Sequence, residues 1–378
     1  MWQGGGRGGG FGSGWRVSGL VAAAKPWVGA LATYQPGKPI EEVARELGLG
    51  DPSTILKLAS NENSLGPSPR ALEAMARVAG RMHIYPDGDS FYLRDALART
   101  LKVSREELFL GHGSNEILAL LAHIYLGPGT SAVMSQYAFV VYKLVTALYQ
   151  GESIEVPARE FGHDLEAMRA AIRPDTRLVF IANPNNPTGT LLQAEALYRF
   201  LDGLPPQVVA VLDEAYIELL PPRQQPDTLR YVRERKNVFV LRTFSKAHGL
   251  AGLRIGYAVA APEGIGLLNR VRQPFNVNAM AQAAALAALD DEAHLARTRM
   301  MVEEGLDQLS QGLAAMGVGY VPSAANFVLV KVGKGREYFE ALLRQRVIVR
   351  PVDNYGLPEY IRVTVGTREE NQRFLDAL

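Results

Sequence analysis

Apolar residues recur along this chain in two ways. In Leu178–Ala182, Val208–Leu212 and Val238–Leu241 they run without interruption. An apolar run of strand length predicts a strand buried on both faces, as in a parallel sheet. Elsewhere the spacing is helical. Ile40 to Leu49 reads as a short helix with Val43, Ala44 and Leu47 on one face, stopped by Gly48 and Gly50. Arg70 to Ala79 places Leu72, Met75 and Val78 on one inward face, with Gly80 ending the helix. Leu108 to Leu121 reads as a strand, a glycine turn and an amphipathic helix, and Ser131 to Phe139 as a strand ending in an aromatic.

Further on, Leu267–Arg272 begins a helical connection that Gln273–Met280 interrupts. An alanine-rich helix then runs toward Asp290, and a long amphipathic helix covers Ala293 to Met316. Val347–Arg350, a short apolar run, and Tyr360–Thr367, where apolar and polar residues alternate, read as two short strands. Strands alternate with helices from about Leu56 to Ala261, which predicts a mostly parallel α/β domain. The expected division is a flexible glycine-rich tail (1–16), an arm that joins the small domain (17–55), a large α/β domain (56–265) and a smaller α+β domain (266–378).

Composition narrows the chemistry. The chain has 378 residues, a formal net charge of +1 and no cysteine. A charge so close to zero offers no general field for nucleic acid or an anionic membrane. Without cysteine there are no disulfides, thiol nucleophiles or cysteine–metal sites, which fits a cytoplasmic protein. No apolar run reaches membrane-spanning length. The start lacks the apolar core of a signal peptide.

Candidate chemistry centres on Arg242 to Tyr257. Lys246 follows the Val238–Leu241 strand, with Thr243 and Ser245 before it and Arg254 after it. A lysine just past a buried strand, among hydroxyls and beside an arginine, suits a Schiff-base lysine next to a phosphorylated cofactor. Asp213 ends a buried strand, where open α/β sheets place their ligands. A carboxylate there can keep a pyridine nitrogen protonated. In Gly111–Asn115 a glycine turn opens a helix, and free backbone N–H groups there form an anion site. Gly113 permits close approach and Ser114 adds a hydroxyl. Tyr137 or Phe139 could lay a flat ring on a cofactor. Arg362 sits among β-branched residues, where burial without an anion would be costly.

These segments together resemble the fold-type I pyridoxal-phosphate aminotransferases. The lysine stretch matches S-K-x-x-G-L-x-G-x-R, and residues 183–189 read N-P-N-N-P-T-G. Residues 213–216 read D-E-A-Y, and Arg362–Thr367 matches R-[IV]-[TS]-[IV]-G-T. The resemblance runs from Tyr34 to the C-terminus. It implies that Lys246 is the catalytic lysine, Asp213 the pyridine-nitrogen partner, and Asn186 and Tyr216 the partners of the phenolic oxygen. It further implies that Gly113, Ser114, Asn115, Thr243, Ser245 and Arg254 bind the cofactor phosphate, and that Tyr137 occupies the stacking position. Arg362 would bind the substrate's carboxylate or phosphate, with Arg350 as second anion contact and Asn61 near the substrate. Tyr85, in Tyr85-Pro-Asp, would cross to the cofactor phosphate of a partner subunit in a homodimer. Glu214 reads as structural.

Within this family the segments Tyr34-Gln-Pro-Gly-Lys-Pro39 and Pro274-Phe-Asn-Val-Asn278 are similar to histidinol-phosphate aminotransferases, where the tyrosine reaches the substrate phosphate. The likeness implies exchange of the amino group of L-histidinol phosphate with 2-oxoglutarate, in histidine biosynthesis. An aromatic-amino-acid aminotransferase of the same branch, or a threonine-phosphate decarboxylase, would share the same catalytic residues. A PLP-sensing regulator would need a DNA-binding domain that this chain does not show.

Overall fold

The structure is a computed structural model that describes residues 19–33, 37, 39–48 and 50–378. Tyr34 and the glycine-rich residues 1–16 lie outside the described residues. The chain divides into two units, 1–35 and 36–378. The described part of the first is a short helix, Gly19–Ala23, and a 3-10 turn, Pro26–Ala30, neither with a buried residue.

In the second unit the strands are β1 (Leu56–Lys57), β2 (Leu108–Gly111), β3 (Ser131–Ser135), β4 (Glu152–Val156), β5 (Thr176–Ala182), β6 (Val209–Asp213), β7 (Val238–Thr243) and β8 (Gly256–Val259). β9 (Tyr320–Val321), β10 (Phe327–Lys331), β11 (Val347–Ile348), β12 (Arg350–Pro351) and β13 (Tyr360–Thr364) follow. A seven-stranded sheet has the order β2-β8-β7-β6-β5-β3-β4. It is parallel except for β8, which is antiparallel to both its neighbours.

The uninterrupted apolar runs have the cause expected of them. Alternate residues of each strand point to opposite faces, and helices cover both. Val133, Val179, Ile181, Ala210 and Leu212 enter one core. Ala132, Met134, Leu178, Phe180 and Val211 enter the other. The C-terminal region forms an antiparallel sheet, β12-β13-β10-β9, with its own core, and β1 pairs in parallel with β11.

One expectation shifts. The helix Pro69–Ala79 buries Ala71 and Ala74, while Leu72 is 49% exposed. Its inward face is one residue out of phase with the large apolar positions. The reason is its neighbour, the helix Ala279–Leu289, whose Ala281, Ala284, Ala285 and Ala288 are buried in the same core as Ala71. Two alanine faces let the backbones come close, and close approach outweighs the larger side chain.

The core residues also show what packs near the expected boundaries. Residue 265 falls inside the helix Pro262–Val271, whose Ile265 and Leu268 belong to the large sheet's core. At the other end Leu56 and Leu58 pack with Val328 and Val363 of the small sheet.

Candidate active site

The loops at the C-terminal ends of the parallel strands converge, as in open α/β sheets generally. Tyr137 follows β3, Asn183–Gly189 follows β5, Asp213 closes β6, and Lys246 follows β7. The lysine loop is fixed from outside. A Cβ on Gly249 (φ +68°) would stand 2.3 Å from the Gly66 carbonyl oxygen, and Asn63 Nδ2 donates to the Ala247 carbonyl at 3.1 Å. Lys246 Nζ donates to the Ser60 carbonyl at 3.0 Å and lies 5.8 Å from the centre of the Tyr216 ring. Burial, and then the Arg362 charge, lower its ammonium pKa to about 8. A neutral amine is thus far more available than on a surface lysine.

Asp213 is buried, and burial raises its pKa to about 6. Two donors act against that rise. The Tyr142 hydroxyl gives a 2.8 Å bond to Oδ2, and the Ala215 N–H gives one of 3.2 Å to Oδ1. Tyr142 is fully buried and stacks on Phe180, centroids 4.7 Å apart and planes 7° from parallel. Sequence reasoning missed Tyr142. It sits on the helix Val141–Leu148, where it passes for one more core aromatic. Its only signal is a polar tip on an inward face.

Tyr216 is buried and receives a 2.9 Å bond from Asn61 Nδ2. Asn61 holds an αL backbone, φ +55°, which asparagine tolerates better than most residues. Its N–H donates to Thr364 Oγ1 at 2.9 Å, and Asn326 Nδ2 donates to its carbonyl at 3.1 Å. Asn186 precedes a cis proline, as Asn183 does. Its Oδ1 accepts from Arg362 Nη1 at 2.5 Å, while Arg362 Nη2 donates to the Ala59 carbonyl at 2.8 Å. Arg350 stands opposite Arg362 in the β12–β13 register. Lys246, Asp213, Tyr216, Asn186, Asn61 and Arg362 therefore meet in one connected cluster.

The expected phosphate site is a second, adjoining group. Gly113 caps the helix Ser114–Tyr125 with φ +75°. A Cβ there would fall 2.6 Å from Arg254 Nη2, so the guanidinium lies directly against the glycine. Arg254, itself at φ +57°, also donates to the Ala251 carbonyl at 3.0 Å. Thr243 Oγ1 accepts from the Ser245 N–H at 3.1 Å, and both side chains are buried. Glu116 braces the turn by accepting from the His112 N–H (2.6 Å) and Asn276 Nδ2 (2.8 Å). Asn115 is exposed. A glycine cradle against an arginine, beside a helix N-terminus and two buried hydroxyls, fits a phosphate ester. A buried aspartate and a low-pKa lysine at the neighbouring strand ends fit the rest of a phosphorylated pyridine aldehyde.

The remaining expected residues are placed as follows. Tyr137 is partly buried, and its carbonyl accepts from Asn185 Nδ2 at 3.0 Å. Phe139 packs edge-on against Tyr142, centroids 5.8 Å apart. Glu214 is buried and paired to Arg242 at 2.8 Å, with Thr228 Oγ1 donating to its other oxygen at 2.5 Å. Tyr85 is 79% exposed and stacks on Phe275 at 4.7 Å. Among the described residues there is no metal-binding cluster and no helix long and apolar enough to cross a membrane.

The profile of aminotransferase class I and II matches residues 53–378. The chain belongs to the class I and II aminotransferases. Within them it is similar to histidinol-phosphate aminotransferase 1 of Thiobacillus denitrificans, 55% identical over 358 residues, covering 95% of this chain and 93% of that protein. Among solved structures it is similar to the histidinol-phosphate aminotransferase of Sinorhizobium meliloti in complex with pyridoxal-5'-phosphate. The TM-score is 0.86 at 30% identity, over 94% of this chain and 96% of that one. The L-threonine-O-3-phosphate decarboxylase of Porphyromonas gingivalis is more distant, with a TM-score of 0.76 at 25% identity, over 85% and 98% of the two chains. This aminotransferase also has a mostly parallel central sheet, as fold type I requires.

Proposed function

We propose that this chain is a pyridoxal-phosphate-dependent histidinol-phosphate aminotransferase that passes the amino group of L-histidinol phosphate to 2-oxoglutarate. One observation carries the chemistry: a lysine with depressed pKa, a buried aspartate and a buried arginine, from different strands, share one cluster. The 55% identity to a histidinol-phosphate aminotransferase supports the substrate over the two rivals.

When bound, pyridoxal phosphate supplies a protonated pyridine ring that can accept the electron pair of the substrate's Cα–H bond. The chain's own residues do the rest. Lys246 Nζ would hold the cofactor's aldehyde carbon and, once displaced by the substrate amine, take the proton from Cα. Asp213 would hold the ring N–H, its charge sustained by Tyr142. Asn186 and Tyr216 would hold the phenolic oxygen. Thr243, Ser245, Arg254 and the Gly113–Ser114 helix start would grip the phosphate. Arg362 and Arg350 would orient the substrate's anionic group, and the same pair would serve glutamate. We further read the enzyme as a cytoplasmic homodimer. Support for a partner is the exposed apolar group of Ile84 (49%), Tyr85 (79%) and Phe275 (44%).

The test is a single-turnover spectrum. Protein loaded with cofactor is mixed with L-histidinol phosphate, phenylalanine or phosphothreonine, without a keto acid. Rapid loss of the visible cofactor band with histidinol phosphate alone is the expected result. Preference for phenylalanine, or release of CO₂ from phosphothreonine, would replace the assignment.

A further inference from the structure

The turn after β4 takes no part in the chemistry above. Arg159 and Gly162 pair across it as an antiparallel bridge, with backbone bonds of 3.2 and 2.8 Å. The two residues between them, Glu160 and Phe161, have φ of +49° and +64°. Consecutive left-handed residues make a tight two-residue turn that asparagine and glycine accept readily. A bulky phenylalanine there is an outlier. Such strain persists only where surrounding contacts hold it, and it concentrates at functional sites.

The contacts are aromatic. The Phe161 ring stacks on Tyr137, centroids 6.1 Å apart and planes 25° from parallel. The ring also meets Tyr360 edge-on, at 5.6 Å and 67°. Tyr360 lies on β13 two residues before Arg362, hence on the same strand face. Phe161 thus touches the ring expected over the cofactor and the strand that presents the anion-binding arginine.

We propose that Phe161 is a positioning residue whose ring sets the tilt of Tyr137 against the cofactor. The proposal rests on Tyr137 being the stacking ring. A tyrosine whose backbone is fixed can still pivot about its side-chain torsions. A second ring packed on it removes that freedom before the cofactor arrives, so less is lost on binding.

The test compares Tyr137→Leu, Phe161→Gly, the double variant and Glu160→Gly. Glycine accepts φ +64° without strain, so Phe161→Gly removes the ring without adding backbone strain. Phe161→Leu, scored in the same way, is the second variant should the glycine protein not fold. The readouts are visible circular dichroism of the bound cofactor, the Kd for pyridoxal phosphate, and the melting temperature of the cofactor-free protein. Tyr137→Leu is expected to weaken the dichroism and raise Kd. Phe161→Gly is expected to move both in the same direction, with Kd raised about 2- to 12-fold. In the double variant the second change adds less than it does alone. Glu160→Gly leaves both readouts unchanged.

Failure of Tyr137→Leu to change either readout overturns the stacking role of Tyr137, and this proposal with it. If Tyr137→Leu acts but Phe161→Gly does not, or if the two effects simply add, only the role of Phe161 falls. A lower melting temperature with unchanged dichroism overturns it too, as a packing effect. An equal shift in Glu160→Gly, which keeps the ring, assigns the effect to the backbone and also overturns it.

Discussion

The Tyr142 hydroxyl donates to Asp213 Oδ2 at 2.8 Å from a side chain with no exposed surface. Burial pushes Asp213 toward its neutral form, and this bond is the first force opposing the push. The carboxylate has two oxygens and four acceptor positions. Tyr142 and the Ala215 N–H use one on each oxygen, which leaves room for the cofactor's ring N–H.

Removing that donor should be felt in catalysis more than in folding. A hydrogen bond to a charged group is worth about 1.5–3 kcal/mol. Tyr142→Phe is expected to lower kcat about 10- to 100-fold with a small change in KM. Loss of a donor raises the Asp213 pKa further, so the acid limb of the kcat profile should move to higher pH, by about one to two units. Steady-state kinetics across pH check both. An unmoved acid limb would remove Tyr142 from this role.

Lys246 gives a second pH dependence, in the cofactor-free protein. Its folded pKa is about 8 against 10.5 for an ordinary lysine. Only the neutral amine attacks an aldehyde. The rate at which pyridoxal phosphate is captured should rise tenfold per pH unit up to about 8 and then level off. Stopped-flow absorbance measures it. A rise continuing to pH 10 would mean an unperturbed lysine.

The same depressed pKa bears on stability, with a definite sign. Between pH 8 and 10.5 the unfolded chain binds more protons at this group than the folded one, so cofactor-free stability rises with pH there. Below pH 8 the buried ammonium is a standing cost. Lys246→Met should therefore stabilise the cofactor-free protein at pH 7, by about 1–3 kcal/mol. Chemical denaturation at pH 7 checks the gain.

Gly113→Ala tests the phosphate cradle. The new Cβ would meet Arg254 Nη2 at 2.6 Å, at a backbone φ of +75°. Strain alone should cost about 1–2 kcal/mol of stability. Displacement of Arg254 should raise the Kd for pyridoxal phosphate about tenfold or more. Equilibrium absorbance titration reads the second effect separately from the first.

Much of this architecture could be read from the sequence, for identifiable reasons. The runs ending at Leu212 and Leu241 are apolar on every residue because helices cover both faces of their strands. Asp213 breaks the first run where β6 ends, and Arg242 and Thr243 break the second at the end of β7, three residues before Lys246, so the return of polar residues marks the ligand edge. Tyr142 was hidden because its ring belongs to the core and only its oxygen belongs to the site. Leu72 does not reveal the phase of its helix, because a seam of alanines rather than side-chain size sets it. The bracing of Asn61 by Thr364 and Asn326 was out of reach of local pattern, since the partners are separated by 303 and 265 positions along the chain.

Those separations order events during synthesis. The strands of the seven-stranded sheet are complete at Val259, and the helices Pro262–Val271 and Ala279–Leu289 then close its two cores. Lys246, Asp213 and Asn186 can thus stand on the large sheet while β9 to β13 are still to be made. Thr364 and Arg362, which hold Asn61 and Ala59 in place, arrive on β13, with the final helix Arg368–Ala377 still to come. Domains generally fold as units as they emerge, N-terminal parts first. The growing chain therefore makes the residues that would hold the cofactor before β13, the strand whose Arg362 would orient the substrate.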